Sequence, residues 1–234
     1  MNEAADIATY FDAGHAAIYD RRIRQRCPSY DALHAMLVSW LKVLPASARI
    51  LCAGAGTGAE ILILGQRFPN WRFVAADISA GMLDACRERM ARSGLTDRVE
   101  FHLGAPQTLP PGATFDAATS ILVSHFILDR AERLAYYRAI AERLRPGGMF
   151  ILADLFGDKN SIEFPRLLEA WLASFAEQAV SADDHAKDVA HVMRDIAFLP
   201  ETELLSILEV AGFEMPTRFY QTWLFGGWVM TRWP

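Results

Sequence analysis

Cysteine is scarce: Cys27, Cys52 and Cys86 are the only three in 234 residues, and no two form a Cys-x-x-Cys pair. An odd, widely spaced set excludes a disulfide framework and fits thiols kept free in a reducing compartment. Positive charge is also in short supply. Lys and Arg total 23 against 28 Asp and Glu, a formal charge of −5 with pI near 5.7. That balance offers no basic footprint for a nucleic-acid backbone. No apolar run approaches the ~20 residues that span a bilayer. The acidic start, Met1-Asn-Glu-Ala-Ala-Asp6, lacks the basic-then-apolar order of a signal peptide. The six histidines are scattered without ligand spacing, so no metal is expected, and there is no nucleophilic-serine elbow. The expectation is a cytoplasmic protein with a small-molecule partner, no nucleic acid and no membrane, and with a homodimer left open.

What is present suits one generous domain, because 52% hydrophobic residues can bury a full core. The chain turns on Ile50-Leu-Cys-Ala-Gly-Ala-Gly-Thr-Gly58, where a buried-type strand runs into a glycine-rich turn and then an apolar helix from Ala59 to Leu64. Such a turn lets backbone approach a nucleotide or amino-acid moiety closely. The spacing fits a dinucleotide fingerprint as well as a Gly-x-Gly-x-Gly loop. Glu60, opening the helix, would serve a pyrophosphate poorly.

Residues 3–44 read as helices. Tyr10, Phe11, Ile18 and Tyr19 make a broken amphipathic stripe, Pro28-Ser29 interrupts it, and Leu33, Met36, Leu37, Trp40 and Leu44 resume it. Arg21, Arg22, Arg24 and Arg26 suit a solvated basic face as well as a ligand contact, and Tyr30 suits packing as well as a site. Further strands are expected at 72–77, 99–103, 115–120 (continuing through 121–126) and 149–154, with helices at 81–92 and 130–144 between them. Arg145-Pro146-Gly147-Gly148 stops the second helix. Residues 160–198 look helical but patchy, with Trp171, Leu172 and Phe175 on one side and a break at Ala182-Asp-Asp-His185. A helix at 200–211 and strands at 214–220 and 224–231 complete the chain.

This rhythm predicts an α/β fold: a doubly wound, Rossmann-like, mostly parallel seven-stranded sheet with its ligand at the strand C-termini. The expected organisation is an N-terminal helical lid over 1–46, then a ligand-binding domain over 47–234 with a helical cap inserted at about 158–198. Asp77 ends the second strand 19 residues after Gly58, the distance at which a carboxylate reaches both hydroxyls of a ribose. Its other reading is an N-cap for the helix beginning near Ser79. Ile78 and Met82 are placed to wall a flat base.

Taken together, these motifs resemble a class I S-adenosylmethionine-dependent methyltransferase over roughly residues 47–155. The likeness rests on Ile50 to Gly58, on Asp77-Ile-Ser-Ala-Gly-Met-Leu83, on Phe115-Asp116 and on Leu144-Arg-Pro-Gly-Gly148. It implies S-adenosyl-L-methionine as cofactor and S-adenosyl-L-homocysteine as product. Backbone at Gly54, Ala55 and Gly56 would hold the methionine end, Asp77 the ribose, and Ile78 and Met82 the adenine. Gly104 and Ala105 would sit at the adenine amino group, although Ala105 stands where an acidic residue is usual; Ser120 would also lie at the cofactor. A narrower likeness to carboxy-S-adenosylmethionine synthases runs through Arg26-Cys-Pro-Ser-Tyr30 and Phe219-Tyr-Gln-Thr-Trp-Leu-Phe-Gly226. It implies that Tyr30 lies near the cofactor, aligns a carboxylate-binding arginine near Ala197 or Arg194, and replaces an asparagine near Leu122.

Methyl transfer needs the nucleophile held in line and a base only where a proton must leave. His125 is the candidate base, its alternative being a structural hydrogen bond; His15 is next. Tyr19 is the second candidate catalytic residue, since it and Tyr30 can set ring faces beside a sulfonium. Trp171, Phe175, Trp223 and Phe225 read as core residues or as walls of an acceptor pocket under the cap. Methylation of a small acceptor is the favoured activity. The alternatives are carboxymethyl formation on the cofactor, ring closure of its methionine portion, and a non-catalytic binding module.

Overall fold

The computed structural model describes residues 11–112, 114–176 and 182–234. The expectations on Tyr10 and on the side chains of His15 and Phe175 fall outside the described residues. Helices α1 (Ala13–Arg26) and α2 (Tyr30–Leu41) precede β1 (Arg49–Ala53). Then come α3 (Ala59–Arg67), β2 (Arg72–Asp77), α4 (Ala80–Arg92), β3 (Val99–Leu103), β4 (Phe115–Ile121), α5 (Arg130–Arg143) and β5 (Leu144–Leu155). The chain continues through α6 (Glu163–Ala176), α7 (Ala182–Asp195), α8 (Glu201–Ala211), β6 (Phe213–Thr222) and β7 (Phe225–Arg232).

All seven strands form one sheet in the order β3-β2-β1-β4-β5-β7-β6. The first five strands pair in parallel, and β7 runs antiparallel between β5 and β6. Alternate residues of β1 serve opposite faces. Ile50 and Cys52 join a core with Leu37 of α2, Leu64 of α3 and Leu83 of α4, while Leu51 and Ala53 join Tyr137, Ile140 and Leu208 of α5 and α8. A strand buried on both sides reads as a continuous apolar run, which explains the look of residues 50–53. Because β1 pairs with β2 on one side and β4 on the other, the strand order reverses there, and a crevice opens beyond the carboxyl ends of these strands.

Three expectations need correcting. The fourth strand does not run on to Phe126. It ends at Ile121, Leu122 takes a positive φ of 61°, and Ser124–Phe126 is a 3₁₀ turn. The Arg145–Gly148 stop lies inside β5 as a bulge, because Phe115 pairs with Leu144 and Ala117 with Met149. Asp116, opposite the bulge, accepts from the Arg49 amide at 2.9 Å and pairs with Arg145. Finally, the acidic Ala182 to His185 stretch is the opening of α7 rather than a break.

Candidate active site

The glycine turn after β1 is held from below. The amides of Gly54 and Ala55 both donate to the Ala76 carbonyl, at 2.8 and 3.0 Å. Gly54 has φ 74°, and a Cβ there would lie 2.3 Å from Val123 Cγ2. Gly56, at φ 52°, has nothing within 4 Å of its Cβ position, so its backbone faces open space. Only glycine adopts both conformations without cost.

Asp77 sits at the end of β2 with its Oδ2 accepting from the Gly56 amide at 2.8 Å and its Oδ1 from the Ser79 amide at 2.9 Å. Burial raises its pKa, and the amides of Ser79, Gly56 and Ile78 pull the other way. The N-cap of α4 is Ser79, whose Oγ accepts from the Met82 amide. Asp77 therefore ties the glycine turn to β2 and faces the crevice, and it does not cap the helix.

A cavity of about 400 Å³ fills that crevice, lined by Gly54, Gly56, Asp77, Ile78, Met82, Gly104 and Ala105 among the expected residues. Three expected cofactor residues do not line it. Ala55 is buried with its amide spent on β2. Ser120 is buried and bonded to the Tyr136 hydroxyl at 2.8 Å, and it is Tyr136 that reaches the cavity. Tyr30 belongs to the core, its ring centroid 4.2 Å from that of His34 and capped by Arg24. Phe11, read from the sequence only as part of an amphipathic stripe, also lines the cavity, as do Phe126, Glu132 and Tyr136, none of which was expected at a site.

A smaller cavity of about 50 Å³ adjoins the first, and Phe11, Tyr19, Leu122 and Phe126 line both. Its other walls include His125, Trp171, Val192, Ile196 and Phe225, so Trp171 and Phe225 do wall a pocket beneath the helices that follow β5. Helix α1 spans both cavities and is fastened down. Thr57 Oγ1 donates to Asp20 Oδ1 at 2.7 Å, Arg89 pairs with Asp20, and Ser79 donates to the Phe11 carbonyl.

His125 lines the smaller cavity and is only 3% exposed. Its Nδ1 and its backbone amide both meet Asp154 Oδ1, and Ser124 Oγ, itself 2.6 Å from the Tyr137 hydroxyl, donates to Asp154 Oδ2. Burial opposes ionisation of Asp154, but the neighbouring His125 and Arg133 and the Ser124 hydroxyl hold its carboxyl below the usual range. An ionised Asp154 accepts from Nδ1 and leaves Nε2 as the basic nitrogen. Arg194 pairs with Asp195 and is largely exposed, and it lines neither cavity.

Acidic groups gather beneath the larger cavity. Glu60, 4% exposed, is pushed up to about 8 by burial and by nearby Asp77. Burial, then Glu60 and Asp77, raise the Tyr19 phenol well above its ordinary value, so Tyr19 stays protonated and can present a ring face and a donor but not a base.

The sheet order, the antiparallel β7 and the crevice at the switch point define an α/β Rossmann-like methyltransferase fold. Residues 50–148 match the family described as a methyltransferase domain. Over these residues the chain is similar to the class I S-adenosylmethionine-dependent methyltransferase superfamily. It is 26% identical over 222 residues to the demethylmenaquinone methyltransferase of Deinococcus radiodurans, covering 86% of this chain and 87% of that one. It is 30% identical over 172 residues to the biotin biosynthesis bifunctional protein BioHC of Teredinibacter turnerae, covering 71% of this chain. The chain spans about a quarter of the length of that protein and of a second curated relative, 26% in each case. Among solved structures, the S-adenosylmethionine-bound amino pentose methyltransferase CalS10 of Micromonospora echinaspora superposes with a TM-score of 0.66 at 21% identity, covering 92% of this chain and 96% of that one. These relatives carry the methyltransferase likeness and lend nothing to the narrower synthase likeness at the chain ends.

S-adenosylmethionine is the cofactor of this superfamily, and the larger cavity fits it. Open backbone at Gly56, a carboxylate at Asp77 and flanking apolar side chains at Ile78 and Met82 offer surfaces for its amino-acid, ribose and base parts. Among the described residues, no helix is long and apolar enough to cross a membrane.

Proposed function

We propose that this protein transfers a methyl group from S-adenosylmethionine to a small-molecule acceptor held in the smaller cavity, with His125 as general base. The observation that carries this reading is the common wall: Tyr19, Leu122 and Phe126, with Phe11, border both cavities, so a donor in one abuts an acceptor in the other. Residues 1–46 act as a lid and 158–198 as a cap over the acceptor. Two of the similar proteins are named for small acceptors, a demethylmenaquinone and an amino pentose.

Backbone at Gly54 and Gly56 holds the methionine end, Asp77 accepts from the ribose hydroxyls, and Ile78 and Met82 flank the adenine beside Gly104 and Ala105. The bound cofactor supplies an electrophilic sulfonium methyl group. His125 takes the proton from the acceptor's nucleophile on Nε2 while Asp154 stabilises the imidazolium that results. The protonated Tyr19 is part of the shared wall, where a ring face beside the sulfonium gains cation–π attraction of about 0.5–2 kcal/mol.

The test incubates pure protein with S-adenosylmethionine, with and without a small-molecule extract, and follows both by mass spectrometry. S-adenosylhomocysteine and a methylated product should form only when the extract is present. Acceptor-free conversion of the cofactor would overturn the reading in favour of chemistry on the cofactor itself.

A further inference from the structure

We infer that Glu132 accepts a hydrogen bond from the adenine amino group of the bound cofactor and so makes the larger cavity selective for adenine. The inference rests on the cofactor site of the methyl-transfer reading above and adds a residue that recognises the base. The wall beside which that reading sets the base has few free acceptors of its own. The Ala105 carbonyl already accepts from the Thr108 amide at 2.9 Å and from the Thr108 hydroxyl at 2.8 Å, which uses both of its lone pairs. The Pro106 carbonyl accepts from the Leu109 amide at 3.3 Å, and the Gly104 amide is spent on the Asp77 carbonyl at 2.8 Å. The side chain of Ala105 is a methyl group. An amino group turned to this wall is therefore best met by an acceptor from another element.

Helix α5 supplies one. It packs against the 3₁₀ turn Pro106–Thr108, and its Glu132, Ala135 and Tyr136 line the same cavity as Pro106 and Gln107. Positions i, i+3 and i+4 share a helix face. Tyr136 fixes that face, its hydroxyl 2.8 Å from Ser120 Oγ and 3.2 Å from the Ala53 carbonyl. Glu132 lies one turn nearer the helix start, where Asp129, the N-cap, accepts from its amide at 2.9 Å. Among the described residues, no hydrogen bond or ion pair engages its carboxylate. Asp77, the other carboxylate lining the cavity, is by contrast held by the amides of Gly56 and Ser79. Glu132 and Gln107 are exposed, which sets them at the mouth of the cavity. An ionised carboxylate only accepts, so at this place it favours a purine that offers an amino group.

The test is calorimetric titration with S-adenosylhomocysteine and with its analogue that bears hydrogen in place of the adenine amino group. The wild-type protein should bind S-adenosylhomocysteine about tenfold more tightly than the analogue, a modest preference because water competes at an exposed carboxylate. Glu132→Ala should lose that preference by weakening S-adenosylhomocysteine alone. Its affinity for the analogue should stay within about twofold of wild type, which also shows that the variant folds. Glu132→Gln, which retains a neutral acceptor, should keep part of the preference. Equal wild-type affinity for the two ligands overturns the proposal. So does a Glu132→Ala protein that keeps the preference, which would give the amino group to Gln107 or to the turn. A variant that weakens both ligands alike overturns it too, since Glu132 would then support the cavity without reading the base. Failure of the wild-type protein to bind either ligand would be a different result and would remove the cofactor site of the methyl-transfer reading itself.

Discussion

The larger cavity is walled largely by strand ends and turns, at Gly54, Gly56, Gly104 and the tip of β2, whereas side chains from α1, β5, α6, α7, β7 and the Ser124–Phe126 turn enclose the smaller one. Among the described residues, the charged side chains lining the larger cavity are Asp77 and Glu132, and those lining the smaller are Arg22 and Arg26, beside His125. A backbone-built site constrains sequence locally, through glycines and one strand-end acid. A pocket assembled from side chains on six separate elements can change its chemistry by substitution without disturbing the sheet. On the proposed reading, cofactor use and acceptor choice are carried by different parts of one fold.

The sharpest way to break this division is at His125. His125→Ala should lower kcat by about 10²–10⁴, the usual share of a general base, and leave S-adenosylmethionine affinity unchanged by calorimetry. A parallel loss of cofactor affinity would mean that the two cavities are energetically one.

A second effect lies beneath the larger cavity. The Glu60 carboxyl is raised from 4.5 to about 8, so the folded protein holds a proton there that the unfolded chain releases. Its contribution to stability is fully present below pH 4.5 and is lost as pH rises through about 8. Chemical denaturation across that window should show stability declining, by up to a few kcal/mol from this group. Glu60→Gln should flatten the decline. An unchanged slope in the variant would remove Glu60 from the account.

Next in size is Asp77→Ala. Losing charge-assisted hydrogen bonds of about 1.5–3 kcal/mol should raise the cofactor dissociation constant roughly ten- to a hundredfold. Unaltered cofactor affinity would sink the assignment of Asp77 to the ribose.

The same contrast explains what could be read from the sequence. The apolar run of β1 and the glycines after it foretold the strand and the turn, and the acidic end of the second strand placed Asp77 beside them, because backbone sites leave local patterns. His125 was found for its residue type but assigned to a strand. Leu122, at positive φ, turns the chain out of β4 into the 3₁₀ turn where Asp154 receives both the His125 amide and ring. Asp154 lies 29 residues away, brought close by the β4–β5 register that pairs Ile121 with Ala153. No spacing rule reaches that far. Tyr30 and Ser120 failed as cavity residues for a related reason. The packing of His34 draws Tyr30 into the core, and Ser120 spends its hydroxyl on Tyr136, the residue that does reach the site.

The smallest expected effect concerns the proposed lid, which borders both cavities together with Leu122 and Phe126. Phe11 and Tyr19 can border both only while the segment through α1 stays down, and Asp20 is its main fastening. Thr57, 3% exposed, supplies one of the two polar contacts to that carboxylate and Arg89 the other. Thr57→Val keeps the shape and removes the hydroxyl, leaving Asp20 with its ion pair, so the loss should be about 1 kcal/mol. Thr57 also sits in the glycine turn, and a change there could act on the cofactor directly. The two routes separate in the kinetics: a loosened lid speeds cofactor release several-fold with little change in the association rate, whereas a distorted turn slows association. Stopped-flow binding of S-adenosylhomocysteine resolves both rates. An effect confined to association would detach α1 from cofactor retention.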